Sequence, residues 1–268
     1  MIVDLAYEHY EGPGQPIIIL HGLFGSGRNW VSHAKELSHH FDVFTIDHRN
    51  HGNSPWSDEH TLQAMTDDVL AFQSKYIKKP AIFLGHSMGG LVAMAAALKQ
   101  PESVTALVIA DIAPKPYERG HNQEFAALAI DVSTMESRSQ VDAAMAKVHP
   151  QKTVRQFLQM NLERLSATDD HSPTGFRWKL NTKVLASAEY LSEFNSIEKQ
   201  GKSYDGPALF VIGRSSSYVN DDDHQAIHKL FRNSQIHKID GDHWLHYTNY
   251  QSFMAEVNQF LAPFQIGP

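Results

Sequence analysis

The chain has 268 residues, 42% hydrophobic and 20% charged, with no cysteine. Its apolar share is enough for a sizeable core and excludes wholesale disorder, and the lack of cysteine excludes disulfides, thiolate nucleophiles and thiolate metal sites. Lys and Arg total 23 against 30 Asp and Glu, a formal charge of -7, which argues against nucleic-acid binding because phosphates need a basic surplus.

The start, Met1 to Glu8, lacks the cationic and apolar regions of a secretory leader. The longest nearly apolar stretch, Gly89 to Leu98, is far short of the roughly 20 residues that span a bilayer. A cytoplasmic protein without a membrane partner is therefore expected. Pro16 to Leu20 reads as a buried strand running into His21-Gly22, and Phe41 to Asp47 as a second one ending in the polar loop His48 to Ser54. Ala81 to Leu84 is a third, followed by Gly85 and an Ala-rich helix, and Ala106 to Ala110 a fourth, stopped by Asp111 and Pro114. Helical patterns then follow at Phe125 to Ile130, Val141 to Val148 and Val154 to Leu165, with no buried strand before Pro207. Pro207 to Ile212 and Gln235 to Ile239 resume the strands, and Phe253 to Leu261 closes as an amphipathic helix. Strands alternating with helices predict an α/β architecture with a mostly parallel central sheet. The helical stretch predicts an inserted cap at 114–206 within a core made of 1–113 and 207–268.

The chemistry-bearing residues collect just after the strands, the edge where open α/β sheets bind ligands. Gly85-His86-Ser87-Met88-Gly89 matches G-x-S-x-G between an apolar strand and a helix, the context that motif requires. Its glycines make room for a tight turn that lifts the Ser87 hydroxyl above the sheet edge. A serine becomes a nucleophile only when a base takes its proton. Among 17 histidines, His243 is the candidate, because it follows the last strand and the turn Gly241-Asp242; His246 reads as a surface or packing residue. The carboxylate that would orient His243 has two sources. Asp111 ends the strand before the helical stretch and is preferred; Asp221, Asp222 and Asp223 precede a predicted helix that they would cap. Ser216 sits where an acid would be expected and serves as an auxiliary hydrogen-bond partner. The backbone N–H groups of Leu23 and Met88 form the oxyanion site. His21 reads as holding its loop, and Arg49 as part of a structural loop rather than a phosphate site. His224 and His228 read as an exposed helix face rather than metal ligands. Phe125, Leu128, Phe157, Met160, Trp178 and Leu180 are apolar candidates from the cap, with Phe125, Met160 and Trp178 taken as substrate-binding residues.

His21-Gly22-Leu23-Phe24-Gly25-Ser26, the Gly85 to Gly89 elbow, Asp111-Ile112-Ala113-Pro114 and Gly241-Asp242-His243-Trp244 resemble the α/β-hydrolase family across essentially the whole chain. Asp47 to Ser54, Phe176 to Asn181 and Ser216 to Val219 narrow the likeness to the small YbfF-type bacterial esterases. That resemblance implies a helical cap, Asp111 as the acid, Ser216 at the usual acid position, and hydrolysis of acyl esters, with acyl-CoA thioesters as further substrates. It implies no metal or organic cofactor. The expected function is a serine carboxylesterase for short-to-medium acyl esters. The opening His21 to Trp30 also resembles menaquinone-pathway lyases, in which an arginine follows the elbow glycines; here Leu91 stands there. A ligand receptor on the same scaffold is the remaining alternative.

Overall fold

The computed structural model describes residues 1–165, 175–198 and 201–265. In chain order the elements are β1 (Tyr7–Tyr10), β2 (Pro16–Leu20), α1 (Val31–Leu37), β3 (Asp42–Ile46), α2 (Leu62–Phe72), β4 (Ala81–His86), α3 (Met88–Lys99) and β5 (Val104–Ala110). The stretch after β5 then adds α4 (Asn122–Leu128), α5 (Arg138–Met145), α6 (Lys152–Leu158), β6 (Leu162–Arg164), β7 (Phe176–Trp178), α7 (Thr182–Ser187) and α8 (Phe194–Glu198). It is followed by β8 (Tyr204–Gly213), α9 (Asp223–Leu230), β9 (Phe231–Ile239), α10 (Leu245–Thr248) and α11 (Tyr250–Leu261).

Seven strands form one sheet in the order β1-β3-β2-β4-β5-β8-β9. β1 runs antiparallel to β3, and the remaining neighbours are parallel. The central strands are apolar on both sides because helices cover both faces of a parallel sheet. Alternation then divides the core in two. Ile18, Leu20, Phe83, Leu107 and Ile109 join Met65, Val69 and Leu91 of α2 and α3 on one face. Ile17, Ile19, Ile82, Leu84 and Val108 join Ala34, Phe253 and Val257 of α1 and α11 on the other.

The structure adds two features to the sequence reading and corrects one helix. β1 was absent from the sequence reading because Tyr7-Glu8-His9-Tyr10 is an exposed edge strand with no apolar run. The pattern Val154 to Leu165 is not one helix: α6 stops at Leu158, a 3-10 turn covers Gln159–Asn161, and β6 follows. The stretch also holds a strand pair, since β6 and β7 pair antiparallel. Its buried side chains, including Leu128, Val141, Leu158, Phe176 and Leu185, form an apolar cluster joined by Phe24. The 114–206 expectation extends over 166–174 and 199–200, which lie outside the described residues.

The polar loop after β3 ties this stretch to the sheet. Asn181 donates from its backbone N–H to the Asn50 carbonyl at 3.0 Å and from Nδ2 to Asn50 Oδ1 at 3.0 Å. Arg49 is fully buried, and its Nε and Nη2 donate to Asp68 Oδ2 and Oδ1 at 2.6 and 2.9 Å. A guanidinium committed to an internal carboxylate has no free fork for a phosphate. Asp68→Asn leaves that buried cation only the more distant Glu59 carboxylate at 3.5 Å among the described residues, and is expected to destabilise the protein by about 3 kcal/mol. A urea unfolding midpoint close to wild type would show that the pair holds nothing.

Candidate active site

The carboxyl ends of β4, β5, β8 and β9 lie at one sheet edge, because His86 pairs with Ala110, Ala110 with Val211, and Gly213 with Ile239. The ladder continues one residue past the strands: Ser87 N–H donates to Ala110 O at 3.2 Å and Asp111 N–H to Val211 O at 2.9 Å. Ser87 and Asp111 therefore leave adjacent strand ends side by side.

Ser87 stands at the head of α3 with φ 51° and ψ -118°, a region that serine rarely enters. The glycines make the bend possible. A Cβ on Gly85 would come within 2.4 Å of Gly89 O, and one on Gly89 within 2.2 Å of Leu20 O. Gly22 lets the loop after β2 lie on the elbow, since a Cβ there would reach His86 Nδ1 at 2.7 Å.

The Ser87 hydroxyl donates to His243 Nε2 at 2.9 Å. On the other side of the ring, Nδ1–H donates to Asp111 Oδ2 at 2.8 Å, which assigns the tautomer. Asp111 is fully buried, and its carboxylate also accepts from Gly213 N–H at 2.9 Å and from the Ser216 hydroxyl. A carboxylate removed from water needs such donors. Asp221, Asp222 and Asp223 lie elsewhere. Asp221 pairs with Lys238, Asp222 is the N-cap of α9, and Asp223 accepts from Lys115 Nζ and Asn220 N–H.

Two groups to which motif spacing gives no role hold His243, one at the ring and one at the backbone. The Tyr218 ring stacks on it at 3.6 Å and 10°, and Tyr218 N–H donates to Ser216 Oγ at 3.2 Å. His86 Nε2–H donates to the His243 carbonyl at 2.8 Å. Neither is signalled by motif spacing, because each depends on loops that meet only in the folded chain. His246 is buried and stacks on Trp30 at 4.7 Å and 11°, so it is a packing residue rather than an exposed one. His228 Nδ1 meets Ser234 Oγ at 2.8 Å, and His224 lies 3.8 Å from Asp221.

The loop after β2 supplies Leu23, and α3 begins with Met88; among the described residues neither backbone N–H is paired with a carbonyl. Their loop is held twice. His21 Nδ1–H donates to Gly22 O at 2.8 Å while its Nε2 accepts from His48 N–H at 3.0 Å. Asn161, just after α6, donates from Nδ2 to Phe24 O at 2.8 Å.

Two cavities meet at Ser87. One, of about 200 Å³, is lined by Leu23, Phe24, Val154, Phe157, Trp244 and Glu124 among others; the second, of about 300 Å³, by Tyr117, Tyr190, Leu191 and Ser217. Leu23, Ser87, His121 and Tyr218 border both. Phe157 was among the wider apolar candidates. Phe125, Met160 and Trp178 line neither cavity. Phe125 packs edge-on behind Phe24 at 5.0 Å. Met160, just past the end of α6, borders an outer polar groove of about 650 Å³ that lacks Ser87. Trp178 donates from Nε1 to Ile130 O at 3.3 Å and borders an outer groove with Trp56. The early end of α6 turns Met160 outward, which helical spacing alone could not register. Leu91 is buried within α3.

Among the described residues no helix is long and apolar enough to cross a membrane. A family profile for the alpha/beta hydrolase fold matches residues 15–250. The mouse protein named sn-1-specific diacylglycerol lipase ABHD11 is 36% identical over 97% of this chain and 86% of its own length. Esterase YbfF of Escherichia coli K12 is 32% identical over 92% of each chain. A solved structure described as a marine microorganism esterase superposes with a TM-score of 0.87 at 33% identity, covering 97% of this chain and all of that one. The extent of these matches, on a parallel sheet bearing a strand–Ser87–helix elbow, establishes that the chain belongs to the α/β-hydrolase fold family.

Proposed function

We propose that this chain, a hydrolase of the esterase/lipase type, is a cytoplasmic serine carboxylesterase acting on short-to-medium acyl esters, with acyl-CoA thioesters as further substrates. The observation that carries the reading is the unbroken relay of 2.9 Å from Ser87 Oγ to His243 Nε2 and 2.8 Å from Nδ1 to Asp111. Ser87 Oγ attacks the ester carbonyl carbon while His243 Nε2 takes its proton. Asp111 steadies the imidazolium, and the Leu23 and Met88 N–H groups hold the oxyanion. As the tetrahedral species collapses, the C–O bond to the leaving group breaks and His243 protonates the departing alkoxide. A water deprotonated by the same ring then attacks the acyl-enzyme, and the acid leaves with Ser87 restored.

The stretch 114–206 acts as the cap, since His121, Glu124, Val154, Phe157 and Tyr190 from it line the cavities at Ser87. The apolar lining by Phe24, Val154, Phe157 and Trp244 suits the acyl chain. The two cavities, of about 200 and 300 Å³, lie at or below the low end of the roughly 300–1,000 Å³ usual for small-molecule pockets, which favours short acyl chains over long ones. The test is a hydrolysis panel of p-nitrophenyl esters from about two to about sixteen carbons beside acyl-CoAs, with fluorophosphonate labelling. Stoichiometric modification of Ser87 and a maximum in the short-to-medium range are expected. Refusal to label, with no turnover across the panel, would return the chain to a receptor.

A further inference from the structure

We infer that Glu124 makes the cavity beside Ser87 a charge filter, so that the enzyme selects uncharged acyl groups over acyl groups that end in a carboxylate. The inference rests on the esterase reading and narrows its substrate class.

Glu124 lies in the first turn of α4 and lines the same cavity as Ser87 and His243. Its side chain is 21% exposed, with His149 Nε2 at 3.5 Å and His121 Nδ1 at 3.9 Å. The His121 imidazole, its own backbone N–H and His149 outweigh burial and hold the carboxyl down at about 2, so it is ionised wherever the enzyme works. Its charge is not answered by a fixed cation. Among the described residues no lysine or arginine lines either cavity at Ser87, whereas Glu118 and Asp242 add further carboxylates. Lys115, on the segment leading to Tyr117, is committed to Asp223.

Asp242 contributes less to the filter than Glu124, because it is exposed and water screens its charge. A carboxylate-ended acyl chain brings a second negative charge into the cavity that Glu124 lines, at a separation on the order of 8 Å. At an effective dielectric of about 20, that repulsion corresponds to a factor of about 30, which partial solvent access lowers to about tenfold. An apolar acyl chain of the same length meets no such opposition and gains from the Phe157 and Trp244 walls.

The experiment compares kcat/KM for p-nitrophenyl butyrate and mono-p-nitrophenyl succinate, two leaving-group-matched esters, at pH 8 and low ionic strength. Wild type is expected to prefer the butyrate by about tenfold or more, beyond the ratio of their uncatalysed rates. Glu124→Gln is expected to compress that preference by about tenfold, and added salt to compress it in wild type but not in the variant. Glu124→Lys should compress or invert it. If Glu124→Gln shifts both esters equally, or if wild type shows no preference, the filter is wrong although the esterase reading stands. If wild type hydrolyses neither of these esters while the wider panel and the fluorophosphonate label are positive, the filter is wrong; if the panel and the label fail as well, the esterase reading fails and takes the filter with it. Circular dichroism of each variant separates a filter effect from loss of fold.

Discussion

Asp111→Asn is expected to lower kcat for a p-nitrophenyl ester by about 10⁴, while Asp221→Asn stays within a factor of about two of wild type. The asymmetry follows from what each carboxylate touches. Asp111 accepts the Nδ1–H of His243 at 2.8 Å. An amide there offers an N–H as readily as an oxygen, so the ring can adopt the opposite tautomer and present a proton, not a lone pair, to Ser87. Asp221 is 81% exposed and serves a surface pair with Lys238. Ser87→Ala belongs beside these two and should cost more than either, on the order of 10⁶ in kcat. Thermal unfolding of all three variants distinguishes lost chemistry from lost structure, since Asp111 also anchors Gly213 N–H and the Ser216 hydroxyl. Comparable losses at Asp111 and Asp221, or an Asp221→Asn loss larger than that of Asp111→Asn, would overturn the proposed relay.

The second large effect is on stability. Folding is expected to be insensitive to pH between about 7.5 and 9 and to weaken steeply between about pH 6.5 and 4. Burial holds His21 and His33 at about 4 and His51 at about 3. It also pushes His48, His60, His86 and His246 well below the ordinary imidazole range. In the unfolded chain these rings titrate near 6.5. Between that value and the folded one, the unfolded state binds more protons. Stability is therefore complete above 6.5 and is lost as the pH falls towards 4.

The bonding gives the same direction for His21. Its Nε2 accepts from His48 N–H, and a second proton on the ring would replace that acceptor with a donor. The drop from 6.5 to about 4 corresponds to about 3 kcal/mol for His21 at the acid end of the window, and His33 adds a similar amount. Together they approach the total stability of about 5–15 kcal/mol usual for a domain. Urea unfolding at half-unit pH steps checks this. The midpoint should fall with a slope that reports uptake of two or more protons. A midpoint that is flat or rises from pH 7 to 5 would mean that these rings are hydrated or charged in the folded protein.

Much of the architecture was legible in local pattern. Five-residue apolar runs such as Pro16 to Leu20 mark strands buried on both faces, and glycines two before and two after Ser87 mark the elbow, because sterics act over a few residues. Local pattern also put His243 after the last strand. It prefers Asp111 to the Asp221 to Asp223 run but cannot bring Asp111 to the ring, because that contact depends on which strand ends are neighbours in the sheet. Nor could it place Tyr218, His86 or Glu124 beside the site, or turn Met160 and Trp178 away from it. Those positions follow from where α6 ends and how loops more than 100 residues apart meet, such as His86 with His243. Sequence determines the reactive groups and the turns that expose them. Tertiary packing decides their partners and the charge of the cavity around them, because burial and contact across distant segments exist only once the chain is folded.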